Sequence, residues 1–290
     1  MPDSPLLERA ADFIWRNARL LDRHLFAYLY RDGPREGVLD ALHAYHNGDG
    51  GFGHALEPDK RTPASQPIDV QIAFEVMDVV GIDATMAGQA CDFLASVGEP
   101  DGSVACVLPG VNRYPHAPWW QLQGEPRGGI NPTGAIAGLL LKQRFDHRWL
   151  RSATAYSWSV CEGSDTVEPH DLACILTFLQ NAPDRPRALR AFERVSRNML
   201  GAGVVGMDPA ASGYVKKLLE WAPTPESLCR PLFTREAVDA HLAALAAAQC
   251  DDGGWPITWP ALSPACELEW RGHMTIRALR TLDAYGRLDR

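Results

Sequence analysis

The chain has no excess of positive charge: 28 Lys and Arg face 36 Asp and Glu, a formal net charge of −8, and the basic residues are scattered. A nucleic acid or an anionic membrane surface requires a clustered basic face, so neither is expected as a partner. There is no apolar run of 18 residues and therefore no candidate membrane span. The residues from Met1 onward lack a basic n-region and an apolar h-region, which points to a cytoplasmic protein. The seven cysteines are odd in number, widely spaced and without a C-x-x-C pair, poor material for a disulfide framework. They read as small buried hydrophobes. Linker-like low-complexity stretches are missing, and so is any convincing apolar pattern of period two, which leaves strands little beyond short pieces in loops.

What remains is helical periodicity in an ordinary globular mixture, 46% hydrophobic and 22% charged. The spacing predicts helices over about 5–29, 34–46, 67–80, 84–97, 131–143, 147–161, 169–180, 185–200, 210–220, 234–249 and 265–285. These pair into roughly six hairpins, and the fold class is all-α. Gln66-Pro67, Asn131-Pro132 and Glu168-Pro169 mark helix starts, because proline at the first turn has no N–H to lose. Gly81, Gly98 and Gly286 follow apolar-periodic stretches and mark helix ends. Two irregular stretches, about 99–130 and 201–233, are rich in proline, glycine and aromatics. The first, with Trp119 and Trp120, is expected to cover a cavity mouth.

Internal repetition is the strongest signal. Residues Ala41–Gly53 and Ala244–Pro256 each end an apolar helix in D-G-G-aromatic, and Leu94–Ser103 is a degenerate third copy. Each copy leads through a loop into another apolar helix, as in Ile68–Val80 and Thr275–Leu282. This arrangement resembles the repeat of squalene-hopene cyclases and of protein prenyltransferase β subunits, whose Gln and Trp form the QW motif. Gln249, Gly254 and Trp255 match it best, whereas the first copy has Phe52 for tryptophan and Tyr45-His46 near the glutamine position. The resemblance implies one α/α toroid over residues 1–290, inner helices around a central cavity and outer helices supporting them.

It also implies chemistry, from which this sequence departs at two points. The proton-donating D-x-D-D motif of the cyclases is absent, and so is a D-D-x-x-D pair for magnesium diphosphate. In their place, Glu57, Asp59 and Asp69 crowd a loop entering a helix, with His54 and Arg61 beside them to bind substrate. A carboxyl desolvated there would gain a raised pKa and serve as general acid. A second group, Glu267, Glu269 and His273 with Trp270 and Arg271, opens the last helix. Cys266, Glu269 and His273 share one helical face; His170 or Asp171 shares one with Cys174. These are zinc-ligand residue types, and the prenyltransferase β subunits hold zinc through Asp, Cys and His. Their D-x-C motif is missing here, so no cofactor or metal is assigned, zinc being the alternative. Trp119, Trp120, Trp255 and Trp259 complete the aromatic walls.

The expectation is a terpenoid-cyclase-like enzyme, a cyclase or isomerase in which a cavity carboxylic acid protonates a hydrophobic, isoprenoid-like molecule. The alternatives are a non-catalytic isoprenoid- or lipid-binding toroid and a carbohydrate-active α/α barrel.

Overall fold

The structure, a computed structural model, describes residues 4–288; the outermost residues of the expected 1–290 domain lie outside them. Twelve α-helices follow one another among the described residues: α1 (Pro5–Asn17), α2 (Leu20–Tyr30), α3 (Arg35–His43), α4 (Pro67–Val80), α5 (Ala84–Val97), α6 (Ile130–Lys142), α7 (Arg148–Gly163), α8 (Pro169–Asn181), α9 (Arg185–Gly201), α10 (Leu218–Trp221), α11 (Arg235–Ala247) and α12 (Pro264–Ala284). No strand forms among these residues; pairing is confined to isolated bridges such as His46 with Phe52 and Lys60 with His116. No described helix is long and apolar enough to cross a membrane.

The chain divides into two compact units, one of residues 39–202 and one of the two chain ends, 1–38 with 203–290. In the contiguous unit α6 packs against α4, α7 and α8, and α7 also meets α5, α8 and α9. Close approach of α6 and α8 is set by Gly134 and Gly138. A Cβ at Gly138 would stand 2.6 Å from the Thr177 carbonyl oxygen, and one at Gly134 would stand 3.2 Å from that of Cys174. Small residues four apart give α6 a smooth stripe, and α8 lies in it. In the other unit α12 packs on α1, α2 and α11.

Most helix boundaries agree with the sequence pattern, and their caps show why. The Glu168 carboxylate accepts from the His170 and Asp171 amides, both at 2.8 Å. Asn131 keeps a non-helical backbone, so regular helix begins at Pro132. Gly81 closes α4 at φ +90°. Three differences are physical. The expected helix 5–29 is two helices, because Ala18 and Arg19 are extended and Arg19 turns to pair with buried Asp22 at 2.8 Å. The expected helix 210–220 shrinks to the single turn α10; Gly213 at φ +81° and the bond from Lys217 Nζ to the Pro209 carbonyl hold the preceding stretch as a loop. Gly98 ends α5 with an ordinary extended backbone, and its missing Cβ matters instead for a 2.8 Å approach to the Leu94 carbonyl.

The three sequence repeats fold into one turn, used three times. Asp49, Asp101 and Asp252 each accept from the amide two residues on, at 2.9, 2.9 and 3.1 Å. The residue between is glycine with positive φ: Gly50 at +88°, Gly102 at +89° and Gly253 at +93°. Each glycine lies against the backbone of a neighbouring helix: Gly50 against Gln89 of α5, Gly102 against Ala153 of α7, Gly253 against Arg9 of α1. In two copies the amide after the turn is also held, Val104 N by Thr133 Oγ1 at 2.9 Å and Trp255 N by Thr275 Oγ1 at 3.0 Å. Gln249 strengthens its copy by donating to the carbonyls of Leu6 and Gly253, each at 2.9 Å.

Gly253→Ala should therefore cost far more stability than Gly124→Ala. Both positions have positive φ, which costs an alanine about 1–2 kcal/mol. Only at Gly253 would the Cβ also stand 2.0 Å from the Arg9 carbonyl oxygen, whereas nothing lies within 4 Å at Gly124. Urea unfolding should show a loss of about 3–5 kcal/mol for the first and about 1–2 for the second. Equal losses would show that the turn does not depend on that close approach.

Candidate active site

The segment after the first turn folds back on itself. Gly53 brings its backbone so close to the Pro63 and Ala64 carbonyls that a Cβ would stand 2.3 Å from the Pro63 oxygen. His54 and Ala55 then take positive φ, +55° and +60°, a strained pair for residues with side chains. Bonds from His54 N to the Thr62 carbonyl (3.1 Å) and from Gln66 N to the Phe52 carbonyl (2.8 Å) close the loop. The proline-rich stretch lies along it, with Arg61 N donating to the Pro115 carbonyl and Ala117 N to that of Asp59. Through these contacts a densely charged loop becomes buried: Glu57, Asp59, Lys60 and Asp69 are each no more than 4% exposed.

Within it Lys60 Nζ donates to Asp69 Oδ2, an ion pair wholly out of solvent. Asp69 Oδ1 accepts from the Glu57 amide at 2.7 Å, so α4, which carries Asp69, fixes where Glu57 sits. Burial raises the Glu57 carboxyl pKa to about 8. Lys60 opposes the shift, the charges of Asp59 and Asp69 add to it, and the Trp120 indole again opposes it. Glu57 Oε2, Thr62 Oγ1 and Trp120 Nε1 are buried without a hydrogen-bond partner. The indole N–H is thus near enough to Glu57 to favour its charged form but lacks the geometry of a hydrogen bond. Trp120 packs with Cys106 and Leu122 against a small apolar core of Ile68, Val107 and Val111.

Cys106, on the far part of this wall, is a group that sequence reasoning passed over. Its thiol donates to the Asn131 carbonyl at 3.1 Å, and the Cys174 thiol to Asn131 Oδ1 at 3.6 Å. Burial pushes the Cys106 thiol up to about 12 and that of Cys174 well above its ordinary value, so both stay protonated at neutral pH. One signal was available: Cys106 stands five residues after the turn aspartate Asp101, as His54 does after Asp49. Asp171, bonded by the Thr166 hydroxyl at 3.3 Å, has its pKa raised by burial and then by Glu168. His170 is exposed and bonds Glu168 at 2.8 Å. Among the described residues no three His, Cys, Asp or Glu side chains are arranged to hold a metal ion.

Other expected residues are distributed differently. His54 is exposed and bonds Asn47 at 2.9 Å; Arg61 is half-buried; Trp119 is 48% exposed. In the unit of the chain ends, Trp255 is a packing residue, 3% exposed, its indole N–H donating to the Leu245 carbonyl at 2.7 Å. Arg271 clamps Asp252 with two bonds of 2.6 and 2.8 Å and lies over the Phe13 ring, so it fastens the repeat turn. Glu267 is exposed and Glu269 half-buried. His273 keeps some exposed surface, yet desolvation lowers its pKa to about 4, with Asp22 opposing the shift.

The all-α architecture is shared with a solved protein. The chain superposes on the crystal structure of a protein from Actinoplanes with a TM-score of 0.61 and 17% sequence identity, over 97% of this chain and 98% of that one. At this identity the likeness establishes the fold and nothing about chemistry. No family model and no curated protein matches the chain.

The raised pKa of Glu57 has a consequence for stability. Between the ordinary value of 4.5 and about 8, the folded state holds a proton that the unfolded state has released, so stability falls as pH rises through that window. Glu57→Gln keeps the shape of the neutral acid and removes the titration. From about pH 5.5 to 7.5 the wild type should lose stability relative to the variant at about 1 kcal/mol per pH unit. Parallel pH profiles of urea-unfolding stability across that range would mean that Glu57 is ionised in the fold.

Proposed function

We propose that the protein is a terpenoid-cyclase-like enzyme, its hairpins those of an α/α toroid, in which Glu57 protonates a hydrophobic, isoprenoid-like substrate. One observation carries this reading: Glu57 is a buried carboxyl with a pKa of about 8 and an oxygen without a hydrogen-bond partner. The Trp120 indole adjoins it, and that ring packs against the apolar core of Ile68, Val107 and Val111. At neutral pH such a group is a carboxylic acid, able to donate where an ordinary glutamate would already be ionised. The site has no D-x-D-D aspartate at the head of a helix; here the acid stands in the loop ahead of α4, held by the backbone bond to Asp69.

Proton transfer breaks the Glu57 O–H bond and forms a bond to a carbon or oxygen of the substrate, leaving a carboxylate and a substrate cation. Lys60 and the Trp120 indole, the groups that favour ionised Glu57, stabilise that carboxylate. The Lys60–Asp69 pair keeps the ammonium in place. Loss of a neighbouring proton back to Glu57 completes an isomerisation or cyclisation with no change of molecular formula. Apolar surroundings of Ile68, Val107 and Leu122 exclude water from the cation.

Incubation with squalene or geranylgeraniol, followed by gas chromatography and mass spectrometry, should reveal an isomer of unchanged mass. Glu57→Gln should slow its formation by at least about 100-fold. The wild-type rate should fall as pH rises past about 8, where the acid is lost. Turnover that is equal in the variant, or absent in the wild type with both substrates, would overturn the assignment.

A further inference from the structure

The unit of the chain ends holds a concavity whose residues take no part in the proton transfer proposed for Glu57. Arg235, Val238, Asp239 and Leu242 of α11 line it, at positions three or four apart that share one helical face. The end of α12 reaches it through a glycine turn. Gly286, at φ +65°, donates its amide to the Asp283 carbonyl at 2.8 Å, and Arg287 N reaches back to the Leu282 carbonyl at 2.7 Å. That turn sets Tyr285 and Arg287 at the same opening, and Arg230 joins them from the single 3-10 turn ahead of α11. The space is about 420 Å³, within the range of small-molecule sites.

Its chemistry is divided. Val238 and Leu242, each 2% exposed, form an apolar floor with Tyr285, whose hydroxyl is already engaged with the Ala222 carbonyl at 2.9 Å. Three guanidinium groups and one carboxylate stand around that floor. Asp239 Oδ1 accepts from Arg287 Nη2 at 2.7 Å, and its Oδ2 lies 3.7 Å from Arg235 Nε, so one carboxylate holds two arginines. Arg230 donates from Nη1 to the Phe233 carbonyl at 2.8 Å. A guanidinium carries five N–H donors, so most remain for a group in the concavity. Glu226, whose charge also reaches Tyr285, is exposed and outside the lining. The lining thus has an excess of two positive charges in a chain of net charge −8. Stability does not explain the gathering, because exposed ion pairs contribute little and the uncompensated guanidinium groups repel one another.

We infer that this concavity binds a small phosphate monoester, with its dianion among the three arginines and its apolar or aromatic body on the floor of Val238, Leu242 and Tyr285. A phosphate dianion matches the excess of two charges and offers three terminal oxygens to the forked donors of the guanidinium groups. A cation is repelled. A neutral polyol gains no Coulomb attraction and must still displace the water that solvates the arginines. Nucleic acid and anionic membrane are poor occupants, since three arginines are too few against the net charge of the whole chain.

The test is isothermal titration calorimetry of the intact protein with phenyl phosphate, phenyl sulfate, inorganic phosphate and phenol at low ionic strength. Phenyl phosphate should bind saturably at one site. Phenyl sulfate, the same shape with one charge fewer, and inorganic phosphate, which lacks the ring, should each bind at least about tenfold more weakly, and phenol should not bind. Arg230→Gln and Arg287→Gln should each weaken phenyl phosphate by about tenfold or more, the loss of one hydrogen bond to a charged group. The Arg287 pairing lies at the surface and adds little to stability, so that variant should melt with the wild type. Arg190→Gln, at an exposed position of α9, removes the same charge elsewhere and should leave the affinity unchanged. No saturable binding of phenyl phosphate, equal affinity for inorganic phosphate, affinity unaltered in both site variants, or an equal loss in Arg190→Gln would overturn the inference.

Discussion

Everything in this structure hangs on one short turn in which an aspartate side chain accepts from the amide two residues on while the glycine between them takes a left-handed backbone. The turn ends one helix, and its bare glycine lies directly against the backbone of another, Gln89, Ala153 or Arg9. A helical hairpin cannot bury its apolar face alone, so stability comes from such contacts with neighbours. The same device also starts the loops from which the site is built: the first turn leads into the strained pair His54-Ala55 and the buried charges, and the second leads to Cys106.

The helices were largely legible because apolar residues recur at helical spacing and proline or glycine punctuates the ends. α4 and α5 agree with expectation to the residue, since Pro67 and Asp83 start them and Gly81 and Gly98 follow them. The break at Ala18-Arg19 was hidden, because it depends on where Asp22 is buried and not on local pattern. The region 210–217 has helix-compatible residues, but Lys217 and His241 tie the backbone around it into a loop through the carbonyls of Pro209 and Met207.

For the site, sequence identified the charged loop but could not rank its carboxylates. That ranking comes from burial and from backbone bonds between distant segments, which place Asp69 against Lys60 and leave Glu57 with an oxygen unengaged. Trp255, the aromatic of the repeat motif, and Arg271, grouped in the sequence with Glu267 and Glu269, both take part in holding the turn. Cys106 carried too weak a local signal, and only the fold brings it to Asn131 and Cys174.

The unit made from the two chain ends carries a temporal consequence. Gln249 bonds Leu6 across 243 positions of sequence, and Gly253 rests on Arg9. On the ribosome α1 therefore emerges without its partner and waits roughly 12 to 50 s for the far end of the chain, at about 5–20 residues per second. The unit of residues 39–202 needs no such delay, because its partners lie within one continuous stretch of sequence. The apolar face of α1, with Leu7, Phe13 and Ile14, is during that interval an uncovered surface that a chaperone can hold.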